Sequence, residues 1–174
     1  LKLASIFDGI GFSLEARALL NQGLKSKPSS LYNEVRKNSL AAMLMKEGRL
    51  DEAFSAFQKI LRKSPKNITA KAGIFEIANK FFEEEDYIRA LKIFETGARR
   101  WPDELNEKPE INFAMAEIYF SQKKFEKARK HFFNLLNLDP ASENAHKALN
   151  RIGDSFIVQG KYQNALAVFD ESGK

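Results

Sequence analysis

The stretch from Lys46 to Pro65, KEGRLDEAFSAFQKILRKSP, contains the pattern that decides the fold. After Gly48 it carries a large apolar residue, an alanine and a phenylalanine, at Leu50, Ala53 and Phe57. This spacing of three and four residues places the side chains on one face of a helix. Glycine permits the left-handed backbone that ends a preceding helix, and proline cannot continue the following one. The stretch therefore predicts a turn at Gly48 and an amphipathic helix that ends before Pro65.

The same pattern recurs along the whole chain. The alanine returns at steps of 37, 37, 38 and 37 residues, at Ala16, Ala53, Ala90, Ala128 and Ala165. The phenylalanine position keeps these steps, at Leu20, Phe57, Phe94, Phe132 and Phe169. Four of the five prolines lie 37, 37 and 38 residues apart, at Pro28, Pro65, Pro102 and Pro140. A constant period of this length is the sequence signature of a repeat architecture.

Each repeat also contains an earlier helix. A second small residue lies 12 positions before the alanine in four copies, at Ala41, Ala78, Ala116 and Gly153. Large apolar residues flank it at helical spacing. We therefore predict two amphipathic helices in each repeat, helix A and then helix B, packed closely through their small residues. Short turns should join them near Gly11, Gly48, Glu85, Lys123 and Gly160.

The small-residue, aromatic and proline positions resemble those of the tetratricopeptide repeat family over essentially the whole chain. The resemblance implies an all-α fold, a right-handed superhelical solenoid of antiparallel helix pairs. We expect one domain, residues 1–174, with about five repeats: 1–30, 31–67, 68–104, 105–141 and 142–174, the first and last being incomplete.

The sequence departs from the family pattern in two ways. The tryptophan often found early in helix A is absent, since the single tryptophan, Trp101, precedes Pro102. The period is 37 or 38 residues, whereas the usual period is 34. Three additional residues make nearly one helical turn. We therefore expect each helix A to start one turn early, near Leu31, Ile68, Lys108 and Ser142.

Composition limits the other possibilities. Hydrophobic residues make up 44% of the 174 residues, enough for a sizeable core, and the formal net charge is +5. The absence of cysteine excludes disulfides and thiolate metal sites. No apolar stretch approaches the length of a membrane span. The sequence begins without methionine and inside a repeat, so we expect a piece of a longer protein. We expect a cytoplasmic location, with the periplasm as the alternative.

The sequence contains no catalytic or nucleotide-binding motif. Its two histidines, His131 and His146, fall in different repeats at positions expected to lie on the surface. The acidic run from Glu83 to Asp86 lacks the glycine and alternating ligands of a calcium loop. We predict that the chain is not an enzyme, and that it holds neither a metal nor another cofactor.

Basic residues cluster in two places, which raises the possibility of nucleic-acid binding. One group is Lys123, Lys124, Lys127, Arg129 and Lys130, and the other is Arg62, Lys63 and Lys66. Acidic residues are interleaved along the chain, and no aromatic stacking platform accompanies either group. We therefore regard nucleic acid as an unlikely partner and these groups as ordinary surface.

The family resemblance implies that the A helices line a concave surface that binds partners. The residues expected there are Asn38, Met45, Phe75, Asn79, Phe82, Phe113, Glu117, Phe120, Asn150 and Asp154. The phenylalanines would anchor a peptide, Asn79 would bind its backbone, and Glu117 would favour a basic residue. The alternative is that the phenylalanines only pack between repeats. Of the positions that form a carboxylate clamp in some family members, only Asn79 fits.

Two functions follow from this surface. The chain is either a scaffold or adaptor that binds a protein or peptide, or the recognition arm of a larger enzyme or signalling protein. We also expect self-association through the incomplete ends, because apolar residues would otherwise face water. These residues are Leu1, Leu3, Ile6 and Phe7 at one end, with Leu166 and Phe169 at the other.

Overall fold

The computed structural model describes residues 4, 13–25, 30–103 and 107–172, and their regular secondary structure is α-helical with short turns between the helices. No strand is present within these residues. The helices are α1 (Ser13–Lys25), α2 (Ser30–Lys46), α3 (Leu50–Lys63), α4 (Ile68–Glu83), α5 (Tyr87–Arg100), α6 (Pro109–Ser121), α7 (Phe125–Leu138), α8 (Glu143–Val158) and α9 (Tyr162–Ser172). The even-numbered helices are the predicted A helices, and the odd-numbered helices are the B helices.

The A helices begin where the lengthened repeat predicts. They start at Ser30, Ile68, Pro109 and Glu143. Ser142 caps α8, because its hydroxyl oxygen accepts a hydrogen bond from the Ala145 N–H at 3.2 Å. The B helices α3, α5 and α7 end shortly before Pro65, Pro102 and Pro140. The predicted early start of each helix A is confirmed.

Helices that follow one another pack together within two units, Leu1–Ile77 and Ala78–Lys174. In the first unit α1 packs on α2 and α2 packs on α3. In the second unit α5 packs on α6, α6 on α7, α7 on α8 and α8 on α9, and the A helices α6 and α8 also touch. The prediction of an all-α fold built from antiparallel helix pairs is confirmed.

The four described turns between helix A and helix B share one backbone geometry. Each has a residue in the left-handed region, with φ of 73° at Gly48, 60° at Glu85, 57° at Lys123 and 70° at Gly160. In the first, the N–H of Gly48 donates to the Met45 carbonyl at 3.1 Å, and the N–H of Arg49 donates to the Leu44 carbonyl at 2.9 Å. The other three turns repeat both bonds. This is the Schellman motif, which satisfies carbonyls at a helix end.

The positions of these turns confirm the prediction from the sequence. The turn expected near Gly11 lies outside the described residues. Two turns use glycine, which adopts positive φ without steric cost, whereas Glu85 and Lys123 adopt it at a cost.

Small residues allow the close packing of the helices. The repeated alanines Ala53, Ala90, Ala128 and Ala165 expose at most 3% of their surface, which confirms that they are buried. The earlier small residues are buried as well. The ring of Phe57 in α3 lies directly over Gly73 in α4, where a β-carbon would overlap it. The ring of Phe169 lies over Gly153 in the same way.

Candidate protein-interaction surface

The residues predicted to contact a partner lie on the A helices, but two of them are buried. Met45 exposes 7% of its surface and Phe75 exposes 1%. A buried side chain offers no contact area to a partner, so the expected groove position of these two is corrected to a core position. Asn38, also in the first unit, is half-buried. Its Oδ1 has no hydrogen-bond partner among the described residues.

The second unit holds the other seven predicted residues, including three half-buried phenylalanines. Each phenylalanine packs against an aromatic ring of the B helix that follows it. The ring centroids are 5.9 Å apart in Phe82–Tyr87, 5.4 Å in Phe120–Phe125 and 6.2 Å in Phe113–Phe132. Tilted and edge-on pairs at such distances are favourable. Each ring is therefore fixed on one side while part of its surface stays accessible.

Glu117 is already paired with an arginine of the next A helix. Arg151 Nε lies 2.9 Å from Glu117 Oε1, and Arg151 Nη2 lies 3.1 Å from Glu117 Oε2. The guanidinium also lies over the Phe120 ring, with its central carbon 5.0 Å from the ring centroid. A two-point pair of this kind fixes both side chains. Arg151 is therefore part of the surface, although it is not among the ten residues predicted from the sequence.

Three further polar residues of the surface have no side-chain partner among the described residues. Asn79 and Asp154 are half-buried, and Asn150 is exposed. An asparagine amide can both donate and accept hydrogen bonds. These side chains are therefore free to pair with polar groups of a ligand.

His131 is half-buried, whereas the sequence placed it at a surface position. Its ring stacks on Tyr119 with the centroids 5.6 Å apart, and its Nδ1 lies 3.0 Å from Asn112 Oδ1. Since the amide oxygen only accepts, Nδ1 carries the proton. Burial lowers the pKa of His131 to about 4, and the charge of Lys130 acts in the same direction. His131 is therefore neutral near pH 7.

Tyr119 completes this partly buried polar cluster. Its hydroxyl donates to Glu95 Oε1 at 2.6 Å. Burial, followed by this hydrogen bond, raises the pKa of Tyr119. A tyrosine that is held protonated and a histidine that is held neutral are typical of a satisfied polar core. We assign the cluster a structural role in holding α5, α6 and α7 together.

Arg129 is buried, so it does not belong to the basic surface in which the sequence placed it. It exposes 8% of its surface. Its Nη1 donates to Ser155 Oγ at 2.9 Å and to Gln159 Oε1 at 2.8 Å. Its guanidinium lies over Phe156, 4.3 Å from the ring centroid. The exposed basic group at the start of α7 therefore consists of Lys123, Lys124, Lys127 and Lys130.

A separate cleft of about 1080 Å³ lies in the first unit between α2 and α3. Its lining includes the apolar residues Leu40, Leu44 and Ile60 and the basic residues Lys59 and Lys63. It contains none of the ten predicted residues. The cleft is a second place where a partner could bind.

Within the described ranges, no group of three or more histidine, aspartate or glutamate side chains is arranged to hold a metal ion. None of the helices in those ranges combines the length and the apolar character that crossing a membrane requires.

The repeat matches a known family. Residues 40–67 and residues 81–152 each match a family described as tetratricopeptide repeat, and together the matches cover more than half of the chain. The chain belongs to the tetratricopeptide repeat family. Tetratricopeptide repeat proteins are generally non-enzymatic scaffolds for protein–protein interaction, so the family supports protein partners for this chain.

Solved structures share the fold of this tetratricopeptide repeat chain. MamA from Desulfovibrio magneticus RS-1 is 16% identical with a TM-score of 0.64, and the match covers 98% of this chain and 89% of that chain. A tetratricopeptide repeat protein from Parabacteroides merdae ATCC 43184 is 19% identical with a TM-score of 0.70, covering 98% and 63%. At these identities the likeness concerns the fold alone. No curated protein matches the chain.

Proposed function

We propose that this tetratricopeptide repeat chain is an interaction scaffold that holds an apolar peptide segment of a partner protein against the A helices of its second unit. The proposed site is called the A-helix surface. It consists of Asn79, Phe82, Phe113, Glu117, Phe120, Asn150, Arg151 and Asp154. The observation that carries the proposal is the set of three half-buried phenylalanines, each supported from behind by an aromatic ring.

Fixed aromatic rings are suited to binding. Fully burying one phenylalanine contributes about 1.5–3 kcal/mol, and a half-buried ring contributes part of that. Because packing already holds Phe82, Phe113 and Phe120, little side-chain entropy is lost when a partner covers them. Several such contacts together could offset the ordering of a short peptide and give micromolar affinity.

The polar groups define the kind of peptide. The Asn79 amide can pair with the donor and acceptor of a peptide backbone. The charge of Glu117 is neutralised by Arg151, so this part of the surface does not select a basic residue as the sequence suggested. We propose an apolar segment with little net charge as the ligand, and we expect its binding to change little with ionic strength.

The cleft between α2 and α3 supports a second candidate site. Its acidic lining residues are already engaged, because Asn67 Nδ2 donates to Glu34 at 2.7 Å and Arg49 Nη2 lies 2.6 Å from Glu52. Lys59 and Lys63 remain without an ion-pair partner among the described residues. An acidic peptide would suit this cleft, and its binding would weaken with added salt.

Display of a random-peptide library on the immobilised chain provides ligands with which to test both sites. Selected peptides should be apolar, and their affinity is measured by fluorescence anisotropy. Asn79→Ala combined with Phe82→Ala should weaken binding at least about tenfold, since one anchor and one backbone contact are lost. The matched control, Lys59→Ser with Lys63→Ser, should leave the affinity unchanged. Acidic peptides that respond only to the lysine variant would overturn the proposal.

A scaffold and the recognition arm of a larger enzyme or signalling protein could both use this surface. A catalytic or receiver domain adjacent to the chain in its natural protein would support the recognition arm. Further repeats alone would support the scaffold. The peptide affinity is expected to be the same in either setting.

A further inference from the structure

The cleft between α2 and α3 has an apolar floor. Leu40 and Leu44 lie four residues apart on α2, and Ala56 and Ile60 lie four residues apart on α3. Residues at this spacing share one face of a helix. The helix α1 precedes this pair and α4 follows it, so the cleft lies within the row of repeats. Its volume of about 1080 Å³ is near the upper end of the range for small-molecule pockets.

The second repeat has small side chains at two positions of this floor. Leu44 lies nine residues before the repeated alanine Ala53, and Ala56 lies three residues after it. In the other four repeats the first position holds an aromatic ring and the second holds a side chain larger than alanine. These pairs are Phe7 with Leu19, Phe81 with Ile93, Tyr119 with His131, and Phe156 with Val168. Only the second repeat therefore lacks bulk at both positions.

The fourth repeat shows how the equivalent place is filled. The ring of Tyr119 stacks there on the ring of His131 with the centroids 5.6 Å apart, and Tyr119 exposes 4% of its surface. Leu44 and Ala56 take these two positions in the cleft. Their smaller side chains leave open a volume comparable to the two rings. An apolar cavity left by a missing side chain can bind an apolar ring of a ligand.

Basic side chains border the apolar floor. The charged residues of the described lining are four basic and two acidic, which gives a net charge of +2: Lys37, Lys59, Arg62 and Lys63 with Glu34 and Glu52. Hydrogen bonds from Asn67 and Arg49 already engage the two carboxylates and lower the pKa of each. Lys59 and Lys63 have no such partner among the described residues. Both lie on the same face of α3 as its two apolar floor residues, so two unpaired ammonium groups adjoin the floor.

We propose that the cleft binds a small organic acid whose apolar body contains one or two rings. The rings cover Leu44 and Ala56, in the place that the two rings fill in the fourth repeat. The carboxylate of the acid pairs with Lys59 and Lys63. An acidic peptide offers the same charge, but its backbone would lie against an apolar floor that provides no hydrogen bonds, at a cost in free energy. The small acid is therefore the better fit.

Acid binding in the cleft is independent of the proposed scaffold function, because the cleft and the A-helix surface share no residue. The cleft is also separate from the residues for which the sequence predicts self-association. Among them, Leu166 is exposed and Phe169 packs on Gly153. The others lie outside the described residues: Leu1, Leu3, Ile6 and Phe7. Self-association stays a prediction.

NMR titration of the isotope-labelled 174-residue chain with naphthylacetate tests the proposal. We expect the backbone amides of α2 and α3 around the cleft to shift and saturate, with a Kd of roughly 0.1–1 mM for an acid of this size. Naphthylacetamide has the same rings without the charge and should bind about fivefold more weakly. Lys59→Ser with Lys63→Ser should weaken acid binding about fivefold, since exposed ion pairs each contribute little, and should leave the amide affinity unchanged.

Filling the cleft tests the site while leaving its charges in place. Leu44→Phe with Ala56→Ile introduces the side-chain pair of the third repeat and should weaken naphthylacetate binding at least about tenfold. Thermal unfolding should show an unchanged or higher Tm, because the added groups enter open volume. Ala56→Ile alone replaces the double variant if that variant is less stable. The matched control, Asn79→Ala with Phe82→Ala, should leave the affinity for the acid unchanged.

Three results would overturn the acid site: shifts in α2 and α3 that do not saturate, unchanged affinity in the filled variant, or equal affinity for the acid and the amide. Peptides selected by display should bind the filled variant as tightly as the natural chain, because they contact the A-helix surface. Loss of peptide binding in the filled variant would place the peptide in the cleft. That result would contradict the proposed function, and the acid titration would still decide the acid site by itself.

Discussion

The turn at Lys123 offers a change that should stabilise the protein. Lys123 has a φ of 57°, whereas its counterparts in two other turns are glycines, at 73° and 70°. For a residue with a β-carbon, this left-handed conformation costs about 1–2 kcal/mol in steric strain. Glycine avoids that cost. However, its larger loss of conformational entropy on folding makes the folding free energy about 0.5–1 kcal/mol less favourable. Lys123→Gly should therefore increase the free energy of unfolding by about 0.5–1 kcal/mol.

The reverse substitution supplies the control. A β-carbon at Gly48 would meet no atom within 4 Å, so Gly48→Ala changes the backbone preference and creates no clash. We expect it to lower the free energy of unfolding by about 0.5–1 kcal/mol, the same net difference with the opposite sign. The two Schellman hydrogen bonds, from the N–H groups of Gly48 and Arg49, remain available in the variant. The two substitutions should therefore act in opposite directions at equivalent places in two repeats.

Thermal and urea unfolding followed by circular dichroism measure both effects. For a chain of this length, 1 kcal/mol corresponds to about 2–4 °C in Tm. Lys123→Gly should raise Tm and the urea midpoint, and Gly48→Ala should lower both. A decrease for Lys123→Gly would show that the lysine side chain or a different turn geometry contributes more to stability than the backbone strain does.

Three further changes test the packing. Gly73→Ala should destabilise the protein, although helix propensity alone predicts a gain of about 1 kcal/mol, because a β-carbon would overlap the fully buried ring of Phe57. Urea unfolding that shows a gain would contradict this contact. Ala90→Leu should cost about 1–3 kcal/mol by overpacking a completely buried site, and calorimetry showing no loss would contradict the assigned register. The pKa of His131 should be about 4 by NMR titration. Because this value lies below the unfolded value of about 6.5, its contribution to stability is complete above pH 6.5 and is lost as the pH falls toward 4. His131→Gln should reduce the loss of stability in that range, and an unchanged loss would contradict the assignment.

The helices and turns could be predicted because their causes are local. Spacing at Leu50, Ala53 and Phe57 defines a helical face, and Gly48 and Pro65 mark its ends within one repeat. The same register located the turns at Glu85 and Lys123, where no glycine is present. The fixed period of the repeat therefore predicted the positions of turns that their own residues do not mark.

The side-chain environment could not be predicted in the same way. In the sequence, Arg129 is one of several neighbouring basic residues, so it was expected at the surface. Its burial depends on hydrogen bonds to Ser155 and Gln159 in the next repeat. The partner of Glu117 is Arg151, 34 residues away. That spacing, close to one repeat, was the available signal for their pairing. Whether Phe75 is exposed depends on how helices pack around it, which a one-dimensional pattern does not contain.

The most direct test of the A-helix surface is an NMR titration of the isotope-labelled chain with a peptide selected by display. We expect the Asn79 side-chain amide and the ring resonances of Phe82, Phe113 and Phe120 to shift together as the peptide saturates the chain. The size of the shifts should remain the same when the salt concentration is raised. Shifts confined to Lys59, Lys63 and their neighbours in the cleft between α2 and α3 would show that the peptide binds the cleft and not the A-helix surface.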